Sequence, residues 1–380
     1  MKNVLITGGA GFIGSNLALK LLKKGFTITV LDNLSEQIHG VNPEKNSPLL
    51  RSIENKVTFI KGCVTSRNDW MEALKNQDVV VHLAAETGTG QSMYEIEKYN
   101  SVNIGGTALM LDILANTKHS VKKVVVASSR AIYGEGRYLV PSTGQYVYPE
   151  ARMEEQMLKG DFNVSTHGIH ELLKLVPTDE QSKIHPTSVY GITKQVQEQM
   201  VMLVCKSINI AAVAFRYQNV YGPGQSLSNP YTGILSIFSS LIKSGKSINI
   251  FEDGEESRDF VFIDDVVDAT ILGIEMDEAN NEVFNVGTGV PINVLTVVKS
   301  LINCYGASVG YKVSGNFRLG DIRHNYADLT KIGSRLGFQP KVQFEEGIKE
   351  FANWVNKQNV SLGDSYEQSI DEMKNKGMYK

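Results

Sequence analysis

Tyr190 and Lys194 stand four residues apart in the segment YGITK, and Ser129 closes the apolar run VVVASS. A spacing of four puts the phenol and the amine on one face of a helix. An ammonium beside a phenol favours the phenolate and draws its pKa toward the working range, so such a tyrosine can act as a general base. A hydroxyl delivered at a strand end, as Ser129 is, can share the proton and hold a substrate oxygen. The same Y-x-x-x-K spacing also arises in exposed helical pairs without chemistry, so its meaning depends on what else the chain carries.

The chain also carries TGGAGFIG, which places Gly8, Gly11 and Gly14 in the order G-x-x-G-x-x-G after one apolar run and at the start of a helical pattern. Glycines there allow a tight turn and let backbone N–H groups and a helix N-terminus approach a pyrophosphate. The next apolar run ends in Asp32, eighteen residues beyond Gly14, where a carboxylate can hold both hydroxyls of an adenosine ribose. The loop by itself is a weak sign, since the glycines could serve only a turn; the acid at that distance makes it a dinucleotide site. Asp32 repels a 2′-phosphate, and the following NLSEQIHG holds no Arg or Lys to welcome one. NAD is therefore expected rather than NADP.

These residues need a scaffold, and the pattern supplies one. NVLITGG, TITVLDN, KVTFIKG, DVVVHLAA, KKVVVASS and IAAVAFRY read as buried strands, with helices such as GSNLALKLLKKG and SVNIGGTALMLDILANT between them. That alternation predicts an α/β fold, a Rossmann-type doubly wound parallel sheet. Beyond about residue 216 the elements shorten and Gly, Pro and Asn increase. A smaller C-terminal α/β substrate domain is expected, with residues 1–215 and about 259–280 forming the NAD-binding domain and 216–258 with 281–380 the second. An insertion of about 136–187 separates Ser129 from Tyr190, and the polar, lysine-rich residues 357–380 read as a surface helix or a loose tail.

Bulk properties narrow the function. With 380 residues, 42% hydrophobic, 21% charged and a net charge of −3, the chain is an ordinary globular protein. It has no field of one sign that would argue for nucleic acid or a membrane surface as partner. Cys63, Cys205 and Cys304 are odd in number and far apart, which fits a reducing compartment and neither a disulfide framework nor a zinc ribbon. His167, His170 and His185 in the insertion lack cysteine or carboxylate partners at metal-ligand spacing, so no metal is expected. The apolar N-terminus is interrupted by glycines at positions 8, 9, 11 and 14 and no apolar run reaches membrane length. A soluble cytoplasmic protein is expected.

With those segments in view, the chain resembles the extended short-chain dehydrogenase/reductase family over nearly its whole length. The resemblance is carried by TGGAGFIG, LDNLS, HLAA, VNIGGT, SSRAIYG, YGITK, RYQNVYGPG, RDFVFIDDV, FNVGTG and RLGDIR. It implies Ser129, Tyr190 and Lys194 as the catalytic set. Around the cofactor it implies Gly8, Gly11, Phe12, Ile13, Gly14, Asp32, Asn33, Cys63, Val64, Leu83, Ala84 and Ala85, and again Tyr190 and Lys194, with Tyr217 by the nicotinamide. Asn103 is implied as a buried structural or cofactor-side residue. Thr87, Ser129 and Arg130 then face the sugar of a nucleotide-sugar, and Asn219, Arg258 and Arg318, with Asp321 nearby, face its diphosphate and nucleotide. Cys63 departs from the family, which often has there an aspartate that meets the adenine amine.

The residues after Ser129 bear on the reaction. Dehydratases of the family place an Asp-Glu pair there to protonate a leaving hydroxyl and remove a proton; this chain has Arg130 and Ala131. A 4-epimerase needs only the tyrosine, retained NAD and a sugar free to turn about its diphosphate tether. SSRAIYGEGRY, the insertion and RYQNVYGPGQSLSNPYTGIL are similar to the dTDP-L-rhamnose 4-epimerases of the family, so an NAD-dependent nucleotide-sugar 4-epimerase is expected, acting as a homodimer. A 4-ketoreductase of the same fold, a UDP-hexose 4-epimerase and a non-enzymatic NAD-sensing regulator are the alternatives.

Overall fold

The computed structural model describes residues 2–231, 233–358 and 365–380. Its centre is a parallel sheet of β1 (Asn3–Thr7), β2 (Thr27–Asp32), β3 (Thr58–Lys61), β4 (Val79–His82), β5 (Lys123–Ser129), β6 (Ala211–Tyr217) and β7 (Glu282–Val286) in the order β7-β6-β5-β4-β1-β2-β3. Chain direction along the sheet reverses between β1 and β4, and ligands of doubly wound sheets bind at the carboxyl ends of strands beside such a switch point. Every residue of β4 and β5 is buried, as expected for strands covered on both faces.

Helices α1 (Phe12–Lys23), α2 (Gly106–Asn116), α3 (Val189–Ser207) and α4 (Ile263–Glu275) cover the sheet. Alternation along the strands divides the core in two. Val4, Ile6, Val79, Val81 and Val125 pack with Leu17 and Leu21 of α1 and Val266 of α4. Leu5, Val80, Val124 and Val126 pack with Met110 of α2 and Val201 and Cys205 of α3. A second sheet joins Asn219–Tyr221, Ser257–Phe262 and Pro291–Asn293, with His324–Asn325 alongside. Tyr221, Phe262 and Phe351 tie it to the helix Phe344–Asn356 through edge-to-face contacts.

Three features correct or extend the sequence reading. Glu282–Val286, placed in the second domain there, is the edge strand of the central sheet, paired with β6 from Glu282↔Val213 to Val286↔Tyr217. Its polar flanks hid a pairing set by a strand seventy residues away. Within 357–380, residues 359–364 lie outside the described residues, but Ser365–Asn375 is a helix and the end of the chain is docked: Leu319 N donates to the Met378 carbonyl, and Phe317 and Lys380 exchange backbone bonds, all at 3.0 Å. The insertion, third, is a small antiparallel sheet of Tyr138–Leu139, Tyr146–Val147 and Lys174–Leu175. Its Arg152 is buried against Glu252 in a two-pronged pair of 2.6 and 2.8 Å. Among the described residues no helix is long and apolar enough to cross a membrane.

Arg216 of β6 and Glu198 of α3 form a buried two-pronged ion pair at 3.0 and 2.6 Å, and Arg216 also donates to the Tyr133 hydroxyl at 2.7 Å. Arg216→Met strands the Glu198 charge, and the expected loss is about 3–5 kcal/mol of unfolding free energy, read from urea midpoints. Arg216→Met combined with Glu198→Leu recovers most of it; an unchanged midpoint in the single variant contradicts the assignment.

Candidate active site

A cleft of about 440 Å³ opens at the carboxyl ends of β1, β4 and β5, within the size range of small-molecule sites. The glycine loop forms its floor. A Cβ on Gly14 would strike the Gly8 carbonyl and lie 2.6 Å from Gly9 Cα, so only glycine lets α1 start this close to β1. Gly11 caps α1 with no side-chain bond, which leaves the first N–H groups of the helix for an anion. Asp32 Oδ2 accepts from Ala10 N at 3.0 Å and Oδ1 from Leu34 N at 2.8 Å, which fixes the carboxylate at the cleft wall. His39 Nε2 lies 3.7 Å from Asp32 Oδ1; it lines the same wall, and nothing in the pattern of NLSEQIHG marks it.

Phe12, Ile13, Asn33, Cys63, Val64, Leu83, Ala84, Ala85 and Thr87 also line this cleft. Cys63 holds its loop through its backbone N–H, which donates to Asp69 Oδ2 of the helix Arg67–Ala73 at 2.7 Å. Asn103 sits in a π-helical turn, Asn100–Gly105, and is fully buried. Its Oδ1 accepts from Glu86 N at 2.8 Å and its Nδ2 donates to Thr193 Oγ1 at 2.9 Å, so it ties the loop after β4 to α3.

Ser129 ends β5 and its Oγ accepts from Ala131 N at 3.1 Å. Opposite, α3 begins at Ser188, whose Oγ caps Gly191 N at 3.1 Å, and Tyr190 N donates to Ser92 Oγ at 3.0 Å. Ser129, Arg130, Tyr190, Lys194, Tyr217 and Asn219 meet on one wall of the cleft. Burial raises the Tyr190 pKa, opposed by a hydrogen bond from Ser129 and by the charge of Arg130. The electrostatic help that the sequence assigned to Lys194 comes here from Arg130. Burial lowers the Lys194 amine to about 7, and its Nζ donates to Gln197 Oε1 at 3.0 Å. Arg130 Nε donates to Asn219 Oδ1 at 2.7 Å, and burial, with the Arg258 charge, brings the guanidinium down to about 9.

Arg258, Arg318 and Asp321 lie off this wall. Arg258 Nη2 donates to Asp321 Oδ1 at 2.9 Å and the Ile322 carbonyl at 2.7 Å, and its Nη1 to the Ser257 and Arg323 carbonyls. Arg318 stacks on Phe251 at 4.7 Å and borders a small neighbouring pocket with Asp321, Thr187 and Ser188. Among the described residues, none from 136–187 lines the main cleft; the insertion reaches the neighbouring pocket through Thr187, whose Oγ1 donates to the Gly320 carbonyl at 2.9 Å, and the Asp321 carbonyl through Arg152 at 3.0 Å.

Known proteins resemble this chain over most of its length. The sequence profile described as the NAD dependent epimerase/dehydratase family matches residues 4–287. A dTDP-L-rhamnose 4-epimerase of Burkholderia thailandensis is 35% identical over 356 residues, covering 93% of this chain and 95% of that protein. A solved UDP-glucose 4-epimerase from Thermotoga maritima with UDP-glucose has a TM-score of 0.74 at 31% identity, covering 93% of this chain and 99% of that one. A UDP-glucuronic acid 4-epimerase from Bacillus cereus in complex with UDP-glucuronic acid and NAD has a TM-score of 0.75 at 25% identity, with 93% and 99% covered.

Beneath the cleft, His82 is fully buried, and burial together with the Lys194 charge pushes its pKa from 6.5 down to about 3. The unfolded chain takes up a proton that the folded one refuses. The stability His82 contributes is therefore present above pH 6.5 and is lost as pH falls toward 3, at about 1.4 kcal/mol per pH unit. His82→Asn is expected to make the fall in stability below pH 6.5 shallower by that amount in urea titrations; parallel curves contradict it.

Proposed function

The chain belongs to the NAD dependent epimerase/dehydratase family, and from that premise we propose that it is an NAD-dependent nucleotide-sugar 4-epimerase acting on a dTDP-6-deoxyhexose such as dTDP-L-rhamnose. One observation carries the reading: Ser129, Tyr190 and Lys194 meet at a dinucleotide cleft where the turn after Ser129 offers Arg130 and Ala131. Neither side chain can serve as the acid and base that water elimination needs.

The residues present fit NAD. The open start of α1 would hold the pyrophosphate and Asp32 the ribose hydroxyls, and the Tyr217 side, whose hydroxyl is turned away to Thr270 Oγ1 at 2.7 Å, would border the nicotinamide end. Bound there, NAD would supply the hydride acceptor for C4 and, once reduced, the hydride that returns. The Tyr190 phenolate, disfavoured by burial but favoured by Ser129, Arg130 and the positive charge that a bound nicotinamide would add, takes the proton of the C4 hydroxyl, Ser129 holds that oxygen and shares the proton, and Arg130 stabilises the negative charge developing between them. Lys194 completes the set from the same face of α3, its amine held by Gln197. Asn219 and Arg130 orient the sugar. We assign the diphosphate to Arg258 and Arg318, which requires Arg258 to exchange part of its bonding with Asp321 for phosphate oxygens. In this reading residues 216–258 and those after β7 form the nucleotide-sugar side.

The likeness to a UDP-glucose 4-epimerase supports a UDP-hexose as second candidate. Incubation with dTDP-, UDP- and GDP-sugars, followed by proton NMR, distinguishes them: inversion at C4 without added NADH or NADPH is expected, fastest with a dTDP-sugar. Conversion only when reductant is added makes the protein a ketoreductase. Tyr190→Phe is expected to lower kcat at least a thousandfold, on the order of the effect of removing a general base, while NAD stays bound; near-normal turnover contradicts the mechanism. Leu203 and Ile192 of α3 stand exposed at 72% and 46%, and we propose that this helix pairs with a second copy. Leu203→Glu should then convert a dimer to a monomer in sedimentation.

A further inference from the structure

We infer that Gln197 is a positioning residue for Lys194: it offers the amine a neutral acceptor anchored, through Thr107, His82 and Thr7, to the loop that borders the cofactor. This rests on the reading of Lys194 as part of the catalytic set.

The bonds have one consistent direction. Lys194 Nζ donates to Gln197 Oε1 at 3.0 Å, which turns the amide so that its Nε2 donates to Thr107 Oγ1 at 2.7 Å. Thr107 gives its own proton to the Asn103 carbonyl at 2.6 Å. Its oxygen must then accept from His82 Nε2, 3.0 Å away. Nε2 is therefore the protonated nitrogen of a neutral imidazole, and Nδ1 accepts from Thr7 Oγ1 at 2.7 Å. Thr7 in turn accepts from Ala84 N at 3.2 Å, and Ala84 lines the cleft against the glycine loop. Thr7, Thr107 and Gln197 are fully buried. Flipping the Gln197 amide would break both of its bonds, so its carbonyl is held toward Lys194.

The surrounding charges make that neutral acceptor matter. On α3 itself, Glu198 is turned away to Arg216 and Tyr190 is the only other titratable group beside the lysine. From β4 comes neutral His82, and from the loop after it Glu86, 3.4 Å from Lys98. From the turn after β5 comes Arg130, and from β6 the paired Arg216. Among the described residues no carboxylate pairs with Lys194. A buried ammonium without an anion relies on the acceptors it has, and here that acceptor is an amide. A carboxylate in its place would lock the charge on; an alkyl group would drive it off. Burial brings the amine to about 7, and the amide at 3.0 Å gives it an acceptor that neither fixes nor removes its charge.

The test is NMR titration of the Lys194 Cε resonance in full-length protein carrying 13C-lysine, the signal identified by its loss in Lys194→Met. The wild-type midpoint is expected near 7. Gln197→Leu should lower it by about one unit and Gln197→Glu raise it by about one unit or more, the scale of one hydrogen bond or one charge at a buried site. With sugar nucleotide, Gln197→Leu should lose about tenfold in kcat with KM unchanged, and its pH profile should shift with the midpoint. If Gln197→Leu does not fold, the near-isosteric Gln197→Glu decides alone by its upward shift. A common midpoint in variants and wild type overturns the inference whether or not any sugar turns over. Separated midpoints in a protein that epimerises nothing would count against the reaction and leave the role of Gln197 standing.

Discussion

The site depends on how closely the start of α3 approaches the end of β5. A Cβ on Gly191 would lie 2.6 Å from the Ala131 carbonyl and 2.8 Å from Pro186 Cβ, closer than a side chain tolerates. Glycine between Tyr190 and Lys194 therefore sets the distance at which both reach the wall that Ser129 and Arg130 form. The rest follows from that contact. The helix must stay straight and buried beyond it, which Val201, Cys205 and the Glu198–Arg216 pair secure. Ser188 must cap it and Ser92 must receive the Tyr190 amide.

The same contact accounts for a long insertion inside an active site. His185 N donates to the Ile132 carbonyl at 3.0 Å, so the chain leaves the site and returns to it at one place. The fifty residues between are free to fold as a satellite without moving Tyr190 from Ser129. What they contribute to the cleft is indirect. Arg152 carries the insertion's charge onto Glu252 and the Asp321 backbone, and the Asp321 side chain in turn receives Arg258.

Much of this was legible in the residues. The glycine loop, Asp32, the strand-end serine and the Tyr-Lys pair each carry a local constraint: a backbone that must pass close, an acid at a fixed distance, a helical turn. Such constraints survive in sequence because they act over a few residues. The seventh strand was misplaced because its neighbour is β6 and its own residues, Glu282 and Asn285 among them, look like the start of a polar unit. The docked C-terminus was hidden for the same reason; Glu372 accepts from Tyr94 and Tyr231 at 3.1 and 2.9 Å, partners no periodicity announces. Electrostatics were least legible. Counting charges suggested that Lys194 activates Tyr190 and that two arginines wait for a diphosphate. In the fold, Arg130 acts on the tyrosine, Arg258 is engaged by Asp321 and carbonyls, and the lysine meets an amide.

The central claim is that the C4 hydrogen leaves the sugar and returns to it within one active site. The direct measurement is incubation of dTDP-L-rhamnose deuterated at C4 with the purified protein in ordinary water, without added cofactor, followed by proton NMR and mass spectrometry of the C4 epimer. The account predicts inversion with the deuterium retained at C4. Loss of the label to solvent, or inversion only when reduced nicotinamide cofactor is supplied, would contradict it.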